Sequence, residues 1–241
     1  GALPDDHKQK DKAGLYYQET VSHVKDVLAD PKKVYPDYNA KEGYEIAGFV
    51  WFQGFNDLVG PYPRTDPAQG KKSVKDYSEY SRLMACFIRD IRKDLGSPKM
   101  PFVIGVLGTG GATTGDGTEA FRRAMAAPAG MAEFKGNVAA VYTHPYWPVD
   151  LDAIDKKVYE IKRGFHKRTQ EAKKLEAEEK KQVMAEIQTE INAAIDKALT
   201  DEEKWQLENG KSNAGYHYLG SAKFFAQIGE AFAKALVEMG Q

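Results

Sequence analysis

Polar residues able to donate hydrogen bonds or accept a proton gather at three places in this chain of 241 residues. The first is Gln53-Gly54-Phe55-Asn56-Asp57, where a glycine permits a tight backbone turn and Asn56 offers a neutral amide donor. Such a donor suits a site that stabilises an oxyanion. The same residues also read as a strand end closed by an Asx-type turn. Gln53 and Asp57 flank the donor as substrate contacts, and Asp57 has two readings, an acid that orients a histidine or a structural carboxylate. The second place is the Gly-rich stretch Gly108 to Gly117, with Thr109 and Gly110 at its start, together with His144 in His144-Pro145-Tyr146-Trp147. The third is His217, in the loop Lys211 to Leu219, which reads either as a proton acceptor or as a cap on the last helix.

The elements that must position these residues follow from hydrophobic period. Ile46 to Phe52 is an almost unbroken apolar run that delivers a polar loop, the profile of a buried parallel strand, and ligand chemistry in open α/β sheets sits at the carboxyl ends of such strands. Pro101 to Leu107 and Asn137 to Thr143 predict two further strands, ending at Gly108 and at His144. Between them, three- and four-residue apolar steps predict helices over Leu15 to Leu28, which should lie on the sheet, over Ser73 to Leu95, and over Thr118 to Ala127. Cys86, in an apolar helical pattern, reads as a small core residue. Val59 to Lys72, with three prolines and two glycines, predicts an irregular substrate wall. The Gly-rich stretch does not fit a phosphate cradle: Thr113 stands where a third glycine is needed and no Gly-Lys-Ser/Thr follows, so Thr109 and Gly110 are assigned to the rim of a cleft.

Residues 155–210 differ in texture. Lys and Glu are interleaved, and Met184, Ile187, Ile191, Ala194 and Ala198 step like a heptad seam, which predicts a helical insertion with a solvated face. Thr200-Asp201-Glu202-Glu203 is a capping box. The last helix, about Gly220 to Glu238, is predicted to bury Ala222, Phe225, Ile228, Gly229, Phe232 and Leu236.

A hydrophobic content of 42% supports a packed core, and a net charge of −1 with pI near 6.6 gives no electrostatic reason to expect nucleic acid. No apolar run approaches the roughly 18 residues of a membrane span. One cysteine cannot form an internal disulfide. Residues 1 to 14 are polar, an expected loose lead-in without the basic-then-apolar pattern of a signal peptide.

In combination the motifs resemble a known family. Gly54-Phe55-Asn56-Asp57 is similar to the G-x-N-D block of the SGNH (GDSL-like) hydrolases, and Trp51-Phe52-Gln53-Gly54 resembles the W-x-Q-G signature of their sialate O-acetylesterase-like branch. Phe121-Arg122-Arg123-Ala124-Met125 resembles that branch's R-x-A-Q helix, and Asn213 to Gly220 its C-terminal histidine block. The resemblance implies a three-layer α/β/α flavodoxin-like sandwich with a parallel sheet, spanning 1–241 as one domain with 155–210 inserted. It implies a carbohydrate esterase that removes O-acetyl groups from sugars by serine catalysis, without metal or cofactor, on an acetylated carbohydrate. Serine ester hydrolysis needs a nucleophile, a His to take its proton, a group to orient that His and oxyanion donors. The resemblance gives His217 the base, Asn56 and Gly54 the oxyanion donors, and leaves His144 as a reserve base.

Three departures accompany it. Ala214 stands where many relatives carry an Asp three residues before the His, and Phe55 where Glu usually follows W-x-Q-G. Nothing before Ile46 resembles the Gly-x-Ser block; Ser22 falls on a helix, and Ser221 starts one. The expectation is therefore the C-terminal part of such a domain, its third to fifth strands, from a secreted or periplasmic parent. The edge beside Ile46 to Phe52 would be covered by the N-terminal segment or another chain. The competing expectation is a non-catalytic carbohydrate-binding or protein-interaction module on the same fold.

Overall fold

The computed structural model describes residues 14–64 and 73–240. The expected lead-in before Gly14 and residues 65–72 of the expected substrate wall lie outside them. In chain order the elements are α1 (Leu15–Ala29), β1 (Phe49–Trp51), α2 (Phe55–Val59), α3 (Ser78–Asp94), β2 (Phe102–Val106), α4 (Asp116–Ala126) and β3 (Val138–Tyr142). They continue as α5 (Val149–Gly164), α6 (His166–Ala172), α7 (Ala177–Ala198), α8 (Asp201–Gly210) and α9 (Ala222–Gly240). The chain divides into two units, the first built from the described parts of Gly1–Leu107, Gly115–Tyr142 and Ala231–Gln241, the second from Gly108–Thr114 and Thr143–Glu230.

The first unit holds a parallel sheet of order β1-β2-β3, with Phe49 opposite Phe102 and Phe102 opposite Val138. Side chains alternate across a strand, so Phe49, Trp51 and Phe102 share one face, where Phe87 of α3 meets them with ring centroids 5.7, 4.8 and 5.9 Å away. On the other face Phe52 meets Phe232, from the second half of α9, at 5.6 Å. Gly105 is required there, because a Cβ would stand 2.5 Å from the Phe52 ring and 2.8 Å from the Phe232 ring. Helices on both faces of a parallel sheet make three α/β/α layers, and the middle strand β2 is buried along its whole length.

β1 departs from expectation. It is three residues long and half-exposed, with Val50 at 40% exposure, where the apolar run predicts a longer buried strand. The reason is position: among the described residues β1 has a neighbour on one side only. The sequence pattern also places α1 on the sheet, but the contacts that hold it run to α3, with the Tyr17 hydroxyl donating to Asp94 at 2.6 Å and its ring 5.9 Å from Phe87. Cys86 is half-buried rather than in the core.

Two buried arginines tie the strands together. Arg92 donates to the carbonyls of Met100 and Asn137, at 2.8 and 2.9 Å, joining the entries of β2 and β3. At the exit of β2, Arg122 is 1% exposed and donates through Nε to the Leu107 carbonyl at 2.7 Å, while Glu119 pairs with it at 2.6 Å. The Leu107 N–H points to Met125 Sδ at 3.4 Å. The ends of the R-x-A-Q-like motif, Arg122 and Met125, thus clamp the last peptide before the Gly-rich loop.

In the second unit α5 to α8 pack around two apolar clusters, Ile154, Val158 and Leu199, and Ala172, Ile187 and Ile191. The predicted seam of α7 holds at Ile187 and Ile191 but then shifts: Ile195 and Leu199 face the clusters, while Ala198 is exposed. A straight helix of 3.6 residues per turn drifts off a seven-residue repeat, and the burial follows that drift. The capping box forms as expected, with Thr200 and Glu203 each bonding the other's backbone N–H. Along α9 the buried positions are Phe224, Ile228, Phe232 and Ala235, and Phe225, predicted to be buried, is 45% exposed.

Candidate active site

In the first unit, β1 delivers Gln53 to an exposed position and Gly54 to a buried one. A Cβ on Gly54 would lie 3.1 Å from Phe121 and 3.2 Å from Met125, so the backbone passes against α4 at a distance that favours glycine. The chain turns at once into α2, whose first bond runs from the Leu58 N–H to the Gly54 carbonyl at 2.9 Å. Asn56 rides on this short helix, exposed, its side chain making no hydrogen bond among the described residues. Asp57 has a partner: the Tyr62 hydroxyl donates to it at 3.2 Å. Burial, and then the neighbouring carboxylate, push the Tyr62 phenol up to about 12.

In the second unit the loops that follow β2 and β3 run against each other. A Cβ on Gly108 would stand 2.5 Å from the Thr143 backbone and 2.6 Å from the His144 nitrogen, an approach that only glycine allows. Thr109 and Gly110, half-buried, are therefore carried beside the segment of His144, which is also half-buried. Gly111, at φ +68, lies under the Trp147 indole.

The loop that carries His217 closes on itself. The Ser212 and Asn213 N–H groups both donate to the Leu219 carbonyl, at 2.9 and 3.0 Å, and the His217 and Leu219 N–H groups both donate to the Ala214 carbonyl, at 2.9 and 3.1 Å. To achieve this the backbone enters the left-handed region at three successive residues, Tyr218 (φ 55), Leu219 (φ 56) and Gly220 (φ 62). For residues with a Cβ that conformation costs about 1–2 kcal/mol each, and here burial offsets it. Leu219 is 0% exposed; the Tyr218 ring stacks on Phe224 at 4.4 Å, and its hydroxyl lies 3.4 Å from the Gly108 N–H.

The result is an exposed His217 whose Nδ1 lies 3.0 Å from Asn213 Oδ1. The same oxygen accepts the Ala214 N–H at 2.8 Å, which fixes the amide with its oxygen, not its NH₂, toward the ring. An amide oxygen only accepts, so Nδ1 carries the proton and Nε2 presents a lone pair. That tautomer is the one a general base requires. At the start of α9 the Ser221 Oγ faces the Phe224 N–H at 3.4 Å.

Gln53, Gly54, Asn56 and Asp57 thus belong to one unit, and Thr109, Gly110, His144 and His217 to the other. Sequence reasoning missed Asn213 as the partner of His217; the signal available was an amide four residues before the histidine. No serine hydroxyl is hydrogen-bonded to His217 among the described residues, and no group of three or more His, Cys, Asp or Glu there could hold a metal.

Residues 7–145, more than half of the chain, match the family described as carbohydrate esterase, sialic acid-specific acetylesterase. The matched stretch includes every candidate from Gln53 to His144 and ends before His217. No curated protein and no solved structure matches the chain.

Proposed function

We propose, from the premise that the chain belongs to the carbohydrate esterase family of sialic acid-specific acetylesterases, that it supplies the general base of a serine-type O-acetyl sugar esterase. The observation that carries this reading is the His217–Asn213 pair, with Nδ1 held at 3.0 Å by an amide oxygen and Nε2 left open. His217 Nε2 takes the proton of an attacking hydroxyl, the imidazolium leans on Asn213 Oδ1, and the proton then passes to the departing sugar oxygen. Ala214 stands where many relatives carry the orienting carboxylate, and Asn213, one residue further back, is a neutral acceptor that stabilises the imidazolium less. For the oxyanion donors the resemblance points to Asn56 and Gly54, in the first unit. The strain in the loop supports a functional reading, because left-handed non-glycine residues held by their surroundings cluster at active sites.

The attacking hydroxyl is assigned neither to Ser22 nor to Ser221. Ser22 is exposed on α1, and Ser221 is 4% exposed and caps α9, so neither presents an activated hydroxyl. The test is p-nitrophenyl acetate with the 241-residue chain alone: no turnover at enzymatic rates is expected. Turnover abolished by a serine-directed phosphonate would mean that a serine of this chain is the nucleophile. The amide at Asn213 favours a second reading, a sugar-binding module that keeps the fold without the chemistry. An acetyl ester left intact by the whole gene product would select it.

A further inference from the structure

The second unit contains a cavity of about 580 Å³ between the Pro145–Leu151 segment, α8 and the start of α9, and neither His144 nor His217 is among its lining residues. We infer that this cavity is a separate sugar-binding site, taking a neutral pyranose ring of an oligosaccharide. The inference rests on the chemistry of the lining, not on the esterase reading.

Two indoles dominate it. Trp147 lines it at 6% exposure. Trp205 is the opposite case, a large apolar ring left 60% exposed on α8 at the cavity wall. An indole face of that kind is the natural platform for the C–H face of a sugar ring, with an apolar body below and polar groups around it.

Amides supply the rest. Asn209 donates its NH₂ to the Trp205 carbonyl at 2.9 Å and Gln206 donates its own to Glu202 at 3.0 Å, so in each the oxygen is left as an acceptor. Gln227 adds an amide with no intramolecular bond among the described residues. Charge is balanced, with Asp150 and Lys223 the ionic side chains on the wall among the described residues. That balance selects against an anion or a cation and suits vicinal hydroxyls, which donate and accept at once. The volume falls within the roughly 300–1,000 Å³ of small-molecule sites.

The probes are cellotetraose, xylotetraose and mannotetraose, titrated into the 241-residue chain by calorimetry and tryptophan fluorescence. None carries an ester, so the outcome does not depend on turnover, and failure here leaves the esterase reading standing. At least one is expected to bind with a Kd of about 1 mM or tighter. Trp205→Ala should weaken it about 10-fold or more, and Trp205→Tyr should restore most of the loss. Because Trp205 is exposed, its substitution leaves the fold intact, as circular dichroism would verify. No binding by any of the three sugars, or binding indifferent to Trp205→Ala, would overturn the inference.

Discussion

Replacing Asn213 by Ala removes the hydrogen bond that its side chain makes to the His217 ring. While the imidazole is neutral, that bond is worth about 1 kcal/mol, and once the ring is protonated it becomes charge-assisted, at about 1.5–3 kcal/mol. The difference, taken at its lower end because His217 is exposed, is about 0.5 kcal/mol, a factor of roughly 2 in kcat. Loss of the acceptor also frees the ring to take the wrong tautomer, which should bring the total to about 10-fold or more. Asn213→Asp keeps the acceptor and adds a full charge, so its kcat should equal or exceed that of the parent. The assay is acetate release from an O-acetylated oligosaccharide by the gene product that carries these residues, with kcat and KM resolved. Nitrogen-15 spectra of the His217 ring in the 241-residue chain read the tautomer directly, and Nδ1–H should predominate. An Asn213→Ala variant with unchanged kcat and an unchanged ring spectrum would refute the reasoning.

Gly220→Ala should destabilise the chain by about 1–3 kcal/mol, because the residue has φ +62 and its Cβ would collide with Ser212 Oγ and stand 2.8 Å from the Asn213 nitrogen. Thermal unfolding should register this as a fall of about 2–4 °C per kcal/mol. Tyr62, raised from 10.0 to about 12, is protonated in the fold at pH values where an unfolded phenol has ionised. Its contribution to stability is therefore complete below pH 10 and is lost as pH rises through about 12. Phenolate absorbance should show a late-titrating tyrosine that Tyr62→Phe removes, and an unchanged titration would count against the Tyr62–Asp57 contact.

Elements with a long period were legible in the sequence, and elements set by tertiary position were not. The helix α3 and the strands β2 and β3 lie within a few residues of where the apolar pattern puts them, because burial of one face, or of both, enforces that pattern. In α9 the adjacent Phe224 and Phe225 both fit a helical stripe, and only the packed structure selects Phe224, at 0% exposure. β1 reads as buried from its apolar residues alone, since a sequence does not announce which strand lies at an edge. The His217–Asn213 pair was hidden for a different reason. It depends on a left-handed turn at Tyr218 and Leu219, residue types that disfavour such a turn, and it exists because burial of both side chains outweighs that preference. The motif resemblance located His217, but its partner followed only from the backbone.

The most direct measurement compares acetate release from an O-acetylated oligosaccharide by the intact gene product and by its His217→Ala and His144→Ala variants. His217→Ala should lose most of the turnover with little change in KM, and His144→Ala should retain it. Near-normal turnover in His217→Ala, with loss in His144→Ala, would move the base to the loop after β3 and contradict the account.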